Sequence, residues 1–192
     1  MSETVKPERP QQGDLAELFR DWDRDELAQF AGYLLRSYRV MDAFWYLNLE
    51  KELGEETADR LNEKVWAKTS QLATREIMKR FEIAGGGLSA LVKVLRYYPW
   101  NLLTGYEIEE RENEFILRVP WCPSQEGRKK HGLGEYACKA MHRSEFESIA
   151  REVDPGIVVE CIFAPPDDHP PEQYCEWRFF MKEPQIDTDT HG

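Results

Sequence analysis

The sequence predicts an α+β fold, in which an N-terminal helical half packs with a small four-stranded antiparallel sheet and one or two further helices. Two observations carry this. Apolar residues recur at helical spacing as far as about Tyr98, and from Thr104 onward short runs alternate apolar with polar residues. A Gly85-Gly86-Gly87 break marks the end of the longest helical stretch.

The first segment opens at Asp14, a capping residue, and sets Leu15, Leu18 and Phe19 on one face. Asp25 to about Leu53 reads as a long helix, with Leu27, Phe30, Ala31, Leu34 and Leu35 in period and Gly54 as its stop. Thr57 to Phe81 continues the pattern through Ala58, Leu61, Val65 and Trp66, and a short helix runs from Leu88 to Tyr98. The period then drops to two. Tyr106 and Ile108, then Phe115, Leu117, Val119 and Trp121, form a hairpin turning at Glu112-Asn113. Helical spacing returns from Glu135 to about Val153 and stops at Asp154-Pro155-Gly156. Ile157, Val159, Cys161 and Phe163 make a third strand, and Cys175, Trp177, Phe179 and Met181 a fourth.

The expected organisation is a solvated leader over 1–13, one domain over 14–183 and a polar tail over 184–192. Within the domain, 14–98 is the helical part and 104–183 the sheet part. The net charge of −11 disfavours nucleic acid and anionic membrane surfaces. Arg128-Lys129-Lys130 reads as a solvated loop, beside Glu126, rather than a phosphate-binding patch. No run approaches the ~20 apolar residues of a membrane span, and the first residues lack an apolar signal core. The expected compartment is therefore the cytoplasm, where thiols stay reduced.

Chemistry-bearing residues are unevenly placed. The first 121 residues hold no Cys and no His, whereas all four cysteines and three of the four histidines fall between Cys122 and Cys175. Cys138 and His142 are four apart on a predicted helix, so they share a face. Cys161 and Cys175 share parity with the apolar sets of their strands, so if residue 161 pairs with residue 175 both thiols point to the apolar face, where a packed helix would bring Cys138 and His142 toward them. Cys138, His142, Cys161 and Cys175 form a candidate ligand set for zinc, which favours thiolate and imidazole. The bland alternative is that these thiols are small hydrophobes of the core. A second chemistry uses a cysteine nucleophile activated by a histidine, with Cys122 and His131 as the candidate pair and Glu135, Asp167 or Asp168 orienting the imidazole. Aromatic walls with sparse polar anchors suit small ligands, which singles out Trp45, Tyr46 and Asp42 as pocket candidates.

Several segments carry a family likeness: Cys122-Pro123, Tyr136 to His142, Asp154-Pro155, and Tyr174-Cys175-Glu176-Trp177-Arg178-Phe179. Through them, residues from about 100 to 183 resemble the aminothiazoline-carboxylate hydrolase-like family and its uncharacterised bacterial relatives. Vinyl-reductase-type ligand-binding domains are a more distant likeness. Cys138 and Cys175 stand at the two cysteine positions of the family pattern. Its acid on the next turn is replaced by Met141 and His142. The resemblance implies ring-opening C–N hydrolysis of a small heterocycle, or binding of a small hydrophobic molecule over a zinc site.

The expected function is thus a small-molecule-binding protein with a Cys/His zinc site, acting as a hydrolase on C–N bonds if it is an enzyme. The alternative is a metal-free ligand-binding or sensor module with its cysteines in the core. The expected partner is a small organic molecule, with no nucleic acid and no membrane, and a homodimer is left open.

Overall fold

The computed structural model describes residues 14–182. The expected leader (1–13) and the expected tail with His191 lie outside the described residues. The described chain runs from a 3-10 turn (Asp14–Phe19) through α1 (Arg24–Leu53), α2 (Glu55–Arg80), α3 (Gly87–Tyr97) and α4 (Pro99–Thr104). The hairpin β1 (Glu107–Glu110) and β2 (Glu114–Val119) comes next, followed by α5 (Pro123–Lys130), α6 (Lys139–Val153), β3 (Ile157–Phe163) and β4 (Cys175–Met181). The fold is α+β, with its N-terminal half helical. Among the described residues, no helix is long and apolar enough to cross a membrane.

The chain divides into two compact units, one up to Val40 and one from Met41 onward. In the first, Phe19, Trp22 and Phe30 pack edge-on and tilted, with ring centroids 5.1 to 5.5 Å apart. The helix there starts one turn-residue earlier than its apolar period suggests, because Asp23 caps it. The Asp23 carboxylate accepts the backbone N–H of Asp25 and of Glu26, and the Glu26 carboxylate accepts the Asp23 N–H in return. That reciprocal box satisfies donors that would otherwise be orphaned.

The second unit holds the sheet, in the order β1-β2-β4-β3, antiparallel throughout. The hairpin closes where the Arg111 N–H donates to the Glu114 carbonyl at 2.9 Å. One face of the sheet is apolar: Phe115, Leu117 and Val119 of β2 and Cys175, Trp177 and Phe179 of β4 are all buried. Helix α6 covers it through Phe146, whose ring meets Trp177 at 5.2 Å and Phe179 at 5.5 Å edge to face. The other face is a ladder of ion pairs. Arg178 bridges Glu114 and Glu160, and Arg118 bridges Glu109 and Glu176, at 2.5 to 3.2 Å. Strict alternation along β2 and β4 produces both faces at once.

Two expectations need correction. Cys161 does not pair with Cys175: it lies opposite Trp177, while Cys175 lies opposite Val119. A slip of two residues preserves parity, so Cys161 keeps the face inferred for it even though its neighbour changes. The segment holding Arg128-Lys129-Lys130 is not a loop but the last turn of α5. Arg128 is mostly buried and donates from both terminal nitrogens to the two carboxylate oxygens of Glu50, at 3.0 and 3.2 Å. Tertiary contact, rather than helix propensity, holds this short glycine-containing helix in place.

The end of α6 is fixed through Asp154. Its carboxylate accepts the backbone N–H of Gly87, at the start of α3, and that of Gly156. A Cβ at Gly86 would come within 2.7 Å of that carboxylate, so the glycine run is needed where α3 meets the end of α6.

Candidate functional site

The site forms around the first two turns of α6. Cys138 is the residue from which that helix starts, and its carbonyl accepts the His142 N–H at 2.9 Å. The segment before it is pinned by Gln125 of α5, a buried amide. Gln125 Nε2 donates to the Tyr136 carbonyl at 2.9 Å, and its Oε1 accepts the Tyr136 N–H at 2.8 Å. The same Nε2 lies 3.5 Å from Cys138 Sγ, a donor aimed at the sulfur. The Pro-rich loop after β3 closes the other side, where the Lys139 N–H donates to the Pro165 carbonyl and Lys139 Nζ pairs with Asp167 at 2.7 Å.

From Cys138 a chain of polar contacts runs inward. The Cys138 thiol lies near enough to the His142 imidazole to act on its protonation. His142 Nδ1 lies 2.6 Å from Glu145 Oε2, and the Tyr98 hydroxyl donates to Glu145 Oε1 at 2.7 Å. Tyr98 Oη lies 2.7 Å from Ser70 Oγ. Cys138, His142 and Glu145 occupy successive turns of one helix face, because spacings of four and three return to the same side. Glu145 is fully buried, and both its oxygens are engaged. Helices α2, α3 and α6 therefore converge on one carboxylate.

The electrostatics follow from burial and from this chain. Burial alone would lower the His142 pKa. Cys138 and Glu145 more than offset that and hold it well above the ordinary histidine range. Burial, then the negative Glu145, raises Tyr98, which keeps its proton and remains a donor. Tyr106 is raised by burial and by Glu145, Cys175 and Cys122. Asp42, in the last part of α1, is pushed up to about 6, first by burial and then by Glu145. A hydrogen bond with Trp66 and the charge of His142 act the other way. Burial raises the thiols of Cys122 and Cys175, and it pushes that of Cys161 up to about 11.

Asp42, Tyr106, Cys122 and His142 are each only partly exposed, and each acts electrostatically on another member of the group.

The residues singled out from the sequence fall in different places. Cys138 and His142 interact. Cys175 and Cys122 act on Cys138 and on each other, while Cys161, opposite Trp177, is the more peripheral thiol. Among the described residues, no three His, Cys, Asp or Glu side chains converge so as to hold a metal ion. Cys122 and His131 stand at opposite ends of α5, with eight helical residues between them, about 12 Å of rise. His131 is exposed. Asp42 is acted on by Glu145 and His142. Tyr46 is buried, donating to Asp59 at 2.6 Å and packing on Tyr136 at 4.7 Å, and Trp45 is 65% exposed. His169 lies in the Pro-rich loop, 3.1 Å from Glu135.

Sequence reasoning missed Glu145, Tyr98, Ser70 and Gln125. Only Glu145 carried a local signal, as an acid three residues after His142 on the same helix face. We expect Tyr98→Phe to destabilise the protein by roughly 1–3 kcal/mol, since it strips one donor from a buried carboxylate and leaves Ser70 short of a partner. The check is urea unfolding with an unchanged m-value, which separates lost stability from a changed unfolded state. None of the curated proteins matches the chain in sequence. A family model does match residues 20–181, which covers Cys138, His142, Glu145 and Tyr98, and the chain belongs to that family of unknown function, DUF6125.

Proposed function

We propose that this protein is a thiol-dependent hydrolase of a small organic substrate, cleaving a C–N bond with Cys138 as nucleophile. The observation that supports this most is the His142–Glu145 pair, in which an imidazole one helical turn after Cys138 is oriented by a buried carboxylate 2.6 Å away and is acted on by the Cys138 thiol. Such an arrangement is what a weak nucleophile needs to act near neutral pH. In the acylation step the Cys138 sulfur attacks the amide-type carbon as a thiolate paired with the His142 imidazolium. Collapse of the tetrahedral adduct breaks the C–N bond, and His142 gives its proton to the leaving nitrogen. Water then attacks the thioester carbon and gives a proton to the now neutral His142, and the C–S bond breaks to release the acid and restore the thiolate–imidazolium pair. Gln125 is a positioning residue that directs an N–H at the sulfur. The likeness of Cys138 and Cys175 to the cysteine positions of the aminothiazoline-carboxylate hydrolase-like pattern supports the C–N substrate class.

The experiment is hydrolysis of a panel of small cyclic amides and thiazolines, followed by mass spectrometry, with protein freed of metal by chelation. Wild type should turn over at least one class, and Cys138→Ser should lose about 10³-fold or more of that rate. Full activity in Cys138→Ser would sink the nucleophile assignment. Activity that appears only on adding zinc would replace it with metal-activated water, with Cys138 and His142 as ligands.

A further inference from the structure

We propose that the Pro-rich loop between β3 and β4 is a proton-operated strap, held to the segment that leads into Cys138 by His169 as an imidazolium and loosened when His169 gives up a proton. The strap does not depend on Cys138 being the nucleophile.

The strap is residues 164–174, four of them proline. It is tied to the chain on both sides of Cys138. On one side the Lys139 N–H donates to the Pro165 carbonyl at 2.9 Å, and Lys139 Nζ pairs with Asp167 at 2.7 Å. On the other side the tie is His169. Its Nε2 lies 3.1 Å from Oε2 of Glu135, three residues before Cys138, and its Nδ1 lies 3.0 Å from the Pro170 carbonyl oxygen. A carbonyl and an ionised carboxylate only accept. One imidazole can serve both at once only with a proton on each nitrogen. Once neutral, it keeps a single donor and turns a lone pair toward the other oxygen.

The groups around His169 leave it as the member that changes charge. Lys129 of α5 lies 3.0 Å from Glu135 Oε1, so each oxygen of that carboxylate faces one cation. The Tyr174 ring packs on His169 at 5.5 Å, with Lys129 Nζ 4.6 Å from its centroid, and the Tyr174 hydroxyl donates to Glu126. Hydrogen bonds raise Lys129 and lower Glu135, and burial raises Tyr174, so none of these three titrates near neutral pH. The Pro170 carbonyl, and after it the Glu135 carboxylate, raise the pKa of His169 against a smaller lowering by burial. The folded-state value lies above the unfolded one. The tie therefore contributes fully below the ordinary histidine range and is lost as pH rises through the raised value.

Two measurements on the intact protein test the strap, both run from about pH 5 to about pH 9: NMR titration of the histidine ring protons and hydrogen exchange of the loop amides. The resonance missing from His169→Gln identifies His169 among the four histidines. Its midpoint should lie above that of an unperturbed histidine, and Glu135→Gln should lower it by about one pH unit. The Asp167 and Gln173 N–H groups donate to the Ala164 and Pro170 carbonyls within the loop. Relative to their intrinsic rates, they should exchange roughly threefold or more faster above the midpoint than below it. In His169→Gln they should exchange at the fast level throughout. A midpoint at or below the ordinary histidine value, or one that Glu135→Gln leaves in place, would overturn the tie. Exchange that is level across the midpoint, or a pH dependence that survives in His169→Gln, would overturn the strap. Neither readout involves turnover, so failure of the Cys138 assignment leaves the strap standing, and failure of the strap leaves the nucleophile standing.

Discussion

Treated with iodoacetamide near neutral pH while folded, the protein is expected to lose one thiol well before the other three, and that thiol is Cys138. Alkylation proceeds through the thiolate, so its rate follows whatever stabilises a negative sulfur. Cys122 and Cys175 are pushed up by burial, and Cys161 is pushed up to about 11 for the same reason. Cys138 lies one helical turn before the His142 imidazole, whose pKa Cys138 and Glu145 together hold well above the ordinary histidine range. Its sulfur also receives the Gln125 amide and sits at the start of α6, where the helix dipole favours negative charge. Although Cys138 is 5% exposed, its partner His142 is 20% exposed, which gives a small reagent its path. Peptide mapping after brief exposure should find the label at Cys138, and His142→Gln should slow it by roughly 10–10²-fold through loss of the adjacent cation. Unfolding should release all four thiols to a counting reagent. Faster labelling of Cys122 or Cys161 would contradict the assignment. Thiols that react in the native state only after chelation would point to thiolate–metal bonds instead.

The fold was legible because its signals are local. Alternation in Phe115-Leu117-Val119 and Cys175-Trp177-Phe179 set both faces of the sheet, and parity survived even though the Cys161 register was misjudged by two. Helix α5 was not legible. Pro123, Gly127 and three consecutive basic residues give it no apolar stripe, and it is held by Gln125 and Arg128 reaching distant partners. The same division runs through the site. Cys138 and His142 were visible as a spacing of four, and Asp42 as a polar residue in an aromatic stretch. Tyr98 and Ser70 were not, because Tyr98 meets Glu145 across 47 residues of chain and Ser70 meets Tyr98 across 28, and a tyrosine or serine beside apolar residues reads as ordinary packing. Glu145 looked like a surface acid. Only the convergence of α2, α3 and α6 makes it the centre of a buried network, a property of the fold rather than of any segment.

Replacing Asp42 with asparagine should make the protein more stable at pH 7. The carboxyl titrates at 3.8 when unperturbed and at about 6 in the folded protein, with burial the main cause. The folded state therefore binds the proton more tightly than the unfolded state does. Below 3.8 both states are protonated and Asp42 costs nothing. As pH rises from there to about 6 stability falls, and above that range the loss is complete, about 3 kcal/mol if the full shift is realised. Asparagine has nearly the same shape, keeps an acceptor for Trp66, and carries no charge to bury. Urea unfolding should show Asp42→Asn more stable than wild type by about 1–3 kcal/mol at pH 7, and the two within roughly 0.5 kcal/mol near pH 4. Glu145 acts on Asp42 more strongly than His142 does, so removing the charge relieves more repulsion than the attraction it forfeits. A variant equally or less stable at pH 7 would mean that the carboxylate is satisfied within the fold. A gain in stability at pH 7 that vanishes near pH 4 would identify Asp42 as a charge that the fold carries at its own expense.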